Sequence, residues 1–211
     1  MGRPGPSTPR GRFLVLDGID GCGKSTQAGR LAQDLAARGS ARVQHLREPG
    51  STALGEGLRE LLLAREMAIL PRAEALLFAA ARAQMLGEIV EPALARGEHV
   101  VCERFHPSTF AYQAVAGGLP EDELLALLSK WAGTPAPDLV LWLDLPLERA
   151  LERRGAARDR IEGRDLDYQR AVARGYARYA ERVPGVVRVD ASGTPEAVAA
   201  AVWKEVARVL G

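Results

Sequence analysis

Cysteine is nearly missing from this chain: the 211 residues hold two, Cys22 and Cys102. They lie far apart and without the short spacings of a zinc site or a redox motif, so neither metal nor disulfide chemistry is expected of them. A reducing, cytoplasmic location suits that count. Histidine is equally sparse, and His45, His99 and His106 show no metal-ligand spacing. No apolar run is long enough to span a membrane. An excess of one charge is also lacking. Lys+Arg number 28 against 27 Asp+Glu, for a formal charge of +1, so the bulk balance gives no reason to expect nucleic acid or an anionic membrane as a partner. Lysine itself is confined to Lys24, Lys130 and Lys204. Any phosphate binding must therefore come from local arginine clusters and backbone amides.

With 47 % hydrophobic and 26 % charged residues, the composition is that of a globular protein. The length suits one domain able to bury about 70 % of its unfolded surface. The opening MGRPGPSTPRG has no apolar core for a signal peptide and too many prolines for an amphipathic transit helix. A disordered tail is expected over residues 1–11, and a single domain over residues 12–211.

Short apolar runs alternate with helical patterns. Strands are expected at Phe13–Leu16, Arg42–His45, His99–Cys102, Leu139–Leu143 and Val186–Val189. Helices are expected over Thr26–Ala37, closing at Gly39, and over Arg72–Leu94, where Gly87 and Pro92 threaten an interruption. Further helices are expected at Glu121–Trp131, from Leu147 to Arg153, at Leu166–Ala180 and at Pro195–Leu210. Strands separated by helices indicate βαβ units and a parallel sheet, and strands without period-two alternation fit a sheet covered on both faces. The fold class is α/β.

Gly18-Ile19-Asp20-Gly21-Cys22-Gly23-Lys24-Ser25 matches G-x-x-x-x-G-K-[ST] between a strand and a helix, the context that makes the motif a P-loop. Glycines let successive N–H groups point at phosphate oxygens, and the following helix adds its positive N-terminal end. Lys24 is placed to reach the terminal phosphates of ATP and Ser25 to ligate Mg²⁺; with Thr26, residues 18–26 form the expected ATP cradle. Cys22 reads as a small residue filling an x position, since a phosphate cradle needs no thiolate.

Beyond the P-loop, several separate segments resemble those of bacterial thymidylate kinases, in the same order, from about Arg12 to the C-terminus. These are Asp17 to Thr26, Arg47-Glu48-Pro49-Gly50, Phe78-Ala-Ala-Ala-Arg82, Glu103-Arg104-Phe105-His106-Pro107-Ser108-Thr109-Phe110-Ala111-Tyr112-Gln113, Pro137-Asp138, Leu143-Asp144, Asp159-Arg160-Ile161-Glu162 and Asp190-Ala191-Ser192. The resemblance implies a three-layer P-loop NTPase fold with a five-stranded parallel sheet flanked by helices on both faces. It also implies ATP and dTMP as substrates, Mg²⁺ as cofactor, and a homodimer. Asp20 stands where the family places a carboxylate that binds the acceptor's 3′-hydroxyl. Arg47 and Arg104 match arginines that grip the acceptor phosphate, a task suited to the guanidinium fork. Phe78 would stack on thymine and Arg82 hydrogen-bond its carbonyl, with Ser108, Thr109 and Gln113 completing the acceptor site and Tyr112 packing against deoxyribose. Glu103 stands where relatives carry aspartate, beside the Mg²⁺ position, and Phe105 replaces a tyrosine or histidine.

The densest basic cluster, Arg149, Arg153, Arg154, Arg158 and Arg160 around Gly155, looks like the lid of such a kinase, over about residues 153–162. A lid expels water and supplies transition-state charge. Gly21 occupies a P-loop position that carries a basic residue in some relatives, so the charge is expected from the lid, with Arg153 and Arg158 as the candidates. The catalytic set is thus Asp20, Lys24, Arg104, Arg153 and Arg158. Two other readings remain open: a kinase of a different nucleoside monophosphate or deoxynucleoside, and a P-loop binding module with weak or no catalysis.

Overall fold

The computed structural model describes residues 10–38, 42–156 and 159–211. Five strands form one sheet: β1 (Phe13–Asp17), β2 (Val43–Arg47), β3 (His99–Glu103), β4 (Leu139–Asp144) and β5 (Val186–Asp190). The order is β2-β3-β1-β4-β5, and each neighbouring pair runs parallel. Each strand expected from the sequence is present, with its end displaced by no more than two residues.

Along β1 every residue is buried because successive side chains enter different layers. Phe13 and Val15 pack with Met85, Leu86 and Leu94 on one face, while Leu14 and Leu16 join Leu31, Val172 and Val202 on the other. The helices that supply these layers are α1 (Lys24–Ala37), α2 (Ala53–Leu63), α3 (Pro71–Met85), α4 (Glu91–Ala95), α5 (His106–Thr109), α6 (Glu121–Trp131), α7 (Leu147–Arg154), α8 (Leu166–Arg182) and α9 (Pro195–Leu210). Among the described residues no helix is long and apolar enough to cross a membrane.

Three local differences from the sequence expectation have physical causes. The long pattern from Arg72 to Leu94 passes through a π-helical turn, Leu86–Val90, just ahead of Pro92. Proline cannot donate a backbone hydrogen bond and crowds the carbonyl four residues back, and the widened turn accommodates it. Helix α2 was not expected, because Gly55 and Gly57 dilute its pattern; it starts at Thr52, whose hydroxyl accepts the Gly55 N–H at 2.9 Å. Residues 10 and 11, expected as part of the 1–11 tail, are tied to the domain. Gly11 N–H donates to Leu94 O at 3.0 Å, and Arg10 reaches Asp138, which also accepts the Phe13 N–H at 2.8 Å. Gly39 and residues 1–9 lie outside the described residues.

The sheet brings its chemistry to one edge. In the pairing register Leu16 faces Glu103 and Arg47 faces Glu103, so the carboxyl ends of β1, β2 and β3 stand together. In open α/β sheets this edge, where the strand order switches direction, is where ligands bind. Behind it α8 approaches closely: a Cβ on Gly175 would lie 2.6 Å from Ala111 Cα. The missing side chain lets Tyr176 reach the end of β1.

Candidate active site

An open cleft of about 1210 Å³ lies over this edge. Asp20, Gly21, Cys22, Gly23, Lys24, Ser25 and Thr26 line one end, while Gly18 and Ile19 pack behind them. Gly23 caps α1 in a left-handed conformation (φ 97°), which leaves the N-terminus of α1 facing the cleft. Lys24 folds across the loop, donating from Nζ to Gly18 O at 2.8 Å and Ile19 O at 2.9 Å. Cys22 is buried, and burial raises its thiol above the ordinary value, so it is no ready nucleophile. Gly21 has φ 88°, and a Cβ there would lie 2.1 Å from Ala150 O on α7. The tight contact bars any basic side chain from this position.

Below the loop, the fully buried Asp17 gathers the site together. It accepts N–H groups from Gly18 (2.8 Å), Phe105 (2.9 Å) and Ser108 (3.0 Å), and the Ser108 hydroxyl at 2.6 Å. Tyr176 reaches the same carboxylate at 3.0 Å. A carboxylate with that many donors fixes the segment after β3 relative to the P-loop. Ser108 also accepts from Arg104 Nη1 at 2.9 Å. Arg104 has the left-handed backbone (φ 69°) that a non-glycine residue adopts at some cost, a feature that clusters at functional sites. Its other terminal nitrogen pairs with Asp20, which accepts the Tyr112 hydroxyl at 2.8 Å and lies 3.6 Å from Lys24 Nζ. Burial alone would raise the Asp20 carboxyl; Arg104, Lys24 and Tyr112 outweigh it and hold the group well below the usual carboxylate range. Asp20 is a charged acceptor at neutral pH.

Toward the far end of the cleft stands Arg82, only 1 % exposed. Its Nε donates to both carboxylate oxygens of buried Glu48, at 3.0 and 2.8 Å, and its Nη2 donates to Thr109 Oγ1 at 2.9 Å. The remaining nitrogen, Nη1, is buried without a partner among the described residues. Phe78 and Gln113 line the cleft beside it. Gln113 donates to Glu74 Oε1 at 2.9 Å, and Glu74, itself buried, pairs with Arg160 and Arg164 of the segment after α7. Arg47 lines the cleft and pairs with Glu56 at 3.0 Å.

Four contributors were not singled out by the sequence, although Glu48 and Arg154 lie in segments it marked. Arg59 on α2 lines the cleft near Arg47 and donates to Pro49 O at 3.0 Å; burial and the Arg47 charge lower its pKa. Glu48 and Glu74 hold arginines from beneath, whereas charged residues usually read as surface. The fourth is Arg154. The structure ties Arg153 through Nη1 to Ala191 O at 3.2 Å, against the loop after β5. Arg153 and Arg154 both line the cleft; the Arg154 charge acts on Asp20, and its Nε is buried without a partner among the described residues. Arg158 lies outside the described residues. Glu103 accepts from Ser25 Oγ at 2.5 Å. His106 stacks on Phe105 with centroids 4.2 Å apart and donates Nε2–H to Ala132 O at 2.8 Å, a packing role.

The family model described as thymidylate kinase matches residues 16–202. A protein named thymidylate kinase from Synechococcus sp. (strain RCC307) is 48 % identical over 196 residues, covering 90 % of this chain and 92 % of the relative. One so named from Alkalilimnicola ehrlichii is 44 % identical over 206 residues, covering 95 % and 94 %. Another, from Caldanaerobacter subterraneus subsp. tengcongensis, is 40 % identical over 176 residues, covering 83 % and 84 %. With its five-stranded parallel sheet, its P-loop and a family match spanning most of its length, this chain belongs to the thymidylate kinase family.

Proposed function

We propose that this chain transfers the γ-phosphoryl group of ATP to dTMP, giving dTDP and ADP. The observation that carries the reading is Arg82: it lines the cleft whose other end is a P-loop, and its buried Nη1 has no partner among the described residues. A buried donor without a partner calls for an acceptor, and the C4 carbonyl of thymine is one. Cytosine presents an amino donor at that position. Phe78 offers its ring to the base, and Thr109 and Gln113 stand beside Arg82.

The other roles follow the charges. Arg47, Arg59 and Arg104 converge where the acceptor phosphate belongs, with Ser108 acting through Arg104. Asp20 accepts the sugar 3′-hydroxyl, and the Tyr112 ring packs against C2′. Phosphoryl transfer through a loose transition state needs alignment and charge neutralisation more than covalent chemistry. Lys24 and the amides of residues 18–26 take the phosphates of ATP. Arg154, beside Arg153, supplies the lid charge that Gly21 cannot provide, and Arg158 remains a further candidate. Ser25 and Glu103 offer hard oxygen donors at the cradle's edge, a set that fits Mg²⁺ with most of its ligands from phosphate and water. Bound there, the ion would neutralise phosphate charge. Exposed Leu54 on α2, Leu70 at the start of α3 and Leu76 within α3 support a homodimer, and two free, buried cysteines support a cytoplasmic location.

Steady-state phosphorylation of dTMP, dCMP, dGMP and dAMP, followed by ADP release, tests the assignment. A strong preference for dTMP is expected. Equal turnover of dCMP and dTMP would overturn it, and binding of ATP with no turnover at saturating Mg²⁺ would favour the inactive-module reading.

A further inference from the structure

Glu103 is one methylene longer than the aspartate that the family resemblance implies at its position, and a longer arm has more rotamers in which to miss a cation. The structure supplies a restraint. His45, on β2, lies 2.9 Å through Nε2 from Glu103 Oε1, while Ser25 Oγ donates to Glu103 Oε2. The two partners stand along one face of α1. Ser25 and Gly29 are four residues apart, hence on the same side of the helix, and a Cβ on Gly29 would lie 4.0 Å from His45 Cε1. The imidazole thus lies about one turn below Ser25, and the Glu103 carboxylate spans the interval with a donor on each oxygen. Since a carboxylate accepts, the proton of the His45 hydrogen bond lies on Nε2. The Ser25 hydroxyl can keep its proton on Glu103 while its oxygen lone pair faces a cation.

We propose that His45 is a positioning residue that holds Glu103 against Ser25 and so preorganises the Mg²⁺ site. The inference rests on the assignment of Ser25 and Glu103 to that ion. Partners behind a ligand commonly set metal affinity by about ten- to a hundredfold, although they never touch the metal. His45 is well placed for that: its Nε2 faces Glu103, and its side chain is 36 % exposed, so the fold does not depend on it.

The test uses Mn²⁺ as the probe, titrated by electron paramagnetic resonance into the full chain saturated with a non-hydrolysable ATP analogue. His45→Ala should weaken Mn²⁺ binding by about tenfold or more, and His45→Gln, which can still present an N–H, should stay within about threefold of the wild type. Thermal unfolding should not distinguish the three proteins. In a Glu103→Asp background the shorter carboxylate no longer reaches the ring, so His45→Ala should then change little. Equal Mn²⁺ affinity in wild type and His45→Ala overturns the inference, as does an undiminished His45→Ala effect in the Glu103→Asp background. Glu103→Gln separates the two levels. If it weakens Mn²⁺ binding while His45→Ala does not, only the role of His45 fails; if neither has an effect, the metal assignment of Glu103 fails with it.

Discussion

Replacing Arg82 and Glu48 together, by methionine and leucine, separates what the buried pair does for the fold from what it does for the base. Glu48→Leu alone leaves the guanidinium buried with Thr109 as its remaining partner, a loss of about 3–5 kcal/mol in folding stability for a broken buried pair. Arg82→Met should cost less. Burial already raises the Glu48 carboxyl above its ordinary value against the pull of Arg82, so without the arginine it can take up a proton and become neutral. The double variant replaces both by apolar groups of similar size and should recover most of the stability lost in Glu48→Leu. Base selectivity should follow a different course. In the wild type, exchanging dTMP for dCMP removes a hydrogen bond to a charged donor, about 1.5–3 kcal/mol, and buries an unpaired amino group, about 1–3 kcal/mol. The sum corresponds to roughly two to four powers of ten in kcat/KM. Without the guanidinium, the first contribution disappears, and the preference should shrink by about ten- to a hundredfold. Urea unfolding and coupled assays with both substrates measure the two effects side by side. A double variant that keeps the wild-type dTMP-to-dCMP ratio would refute base reading by Arg82, and a fully stable Glu48→Leu would refute the energetics.

Arg154→Ala should lower kcat by about a hundredfold or more while Arg153→Ala loses less than about tenfold, as expected when the Arg153 guanidinium stays with the Ala191 carbonyl; the reverse order in steady-state assays would show the lid assigned to the wrong arginine. Tyr112→Phe should preserve the preference for deoxyribose, because the ring provides the obstruction, whereas Tyr112→Ala should relax it, and an unchanged dTMP-to-UMP ratio in Tyr112→Ala counts against that role. Acid should destabilise the fold through His106. Burial, with the Arg82 charge, pushes its pKa down to about 3 from 6.5, so the unfolded chain binds the extra proton between those values and stability falls as pH drops below about 6.5, by about 2 kcal/mol at pH 5. His99 shifts in the same direction, so the comparison of urea unfolding in wild type and His106→Gln isolates the contribution, and parallel pH profiles would contradict it.

Strands were the most legible part of the molecule. Val15, Val101 and Leu141 sit in central strands covered on both faces, and such strands leave unbroken apolar runs that need no knowledge of their partners. The cleft residues were legible because phosphate chemistry demands particular types at fixed spacing, as in Gly18 to Ser25. Position within a turn of helix was not. Arg153 and Arg154 are neighbours in sequence and both line the cleft, yet side chains of consecutive helical residues point about 100° apart, so one meets the Ala191 carbonyl while the charge of the other acts on Asp20. Composition cannot decide between them, because their distance from the P-loop depends on where Ala150 packs against Gly21.

The acidic residues were hidden for a deeper reason. Asp17, Glu48 and Glu74 are each at most 5 % exposed, although such residues are seldom buried without a partner. Their partners lie far along the chain: Phe105 and Ser108 for Asp17, Arg82 for Glu48, and Gln113, Arg160 and Arg164 for Glu74. No local pattern encodes such a pairing, since the arginine stabilises the carboxylate only after the sheet has brought both to one edge. An enzyme that handles polyphosphates must concentrate arginines in a cleft, and like charges there oppose one another until ligand arrives. Buried carboxylates resolve this by holding each guanidinium at a chosen angle while leaving a nitrogen free for ligand. Arg82 shows the arrangement most fully. Glu48 and Thr109 take Nε and Nη2, which fixes the plane of the fork and leaves Nη1 without a partner among the described residues. On the proposed base reading by Arg82, selectivity for an acceptor would depend on a glutamate that need never contact it.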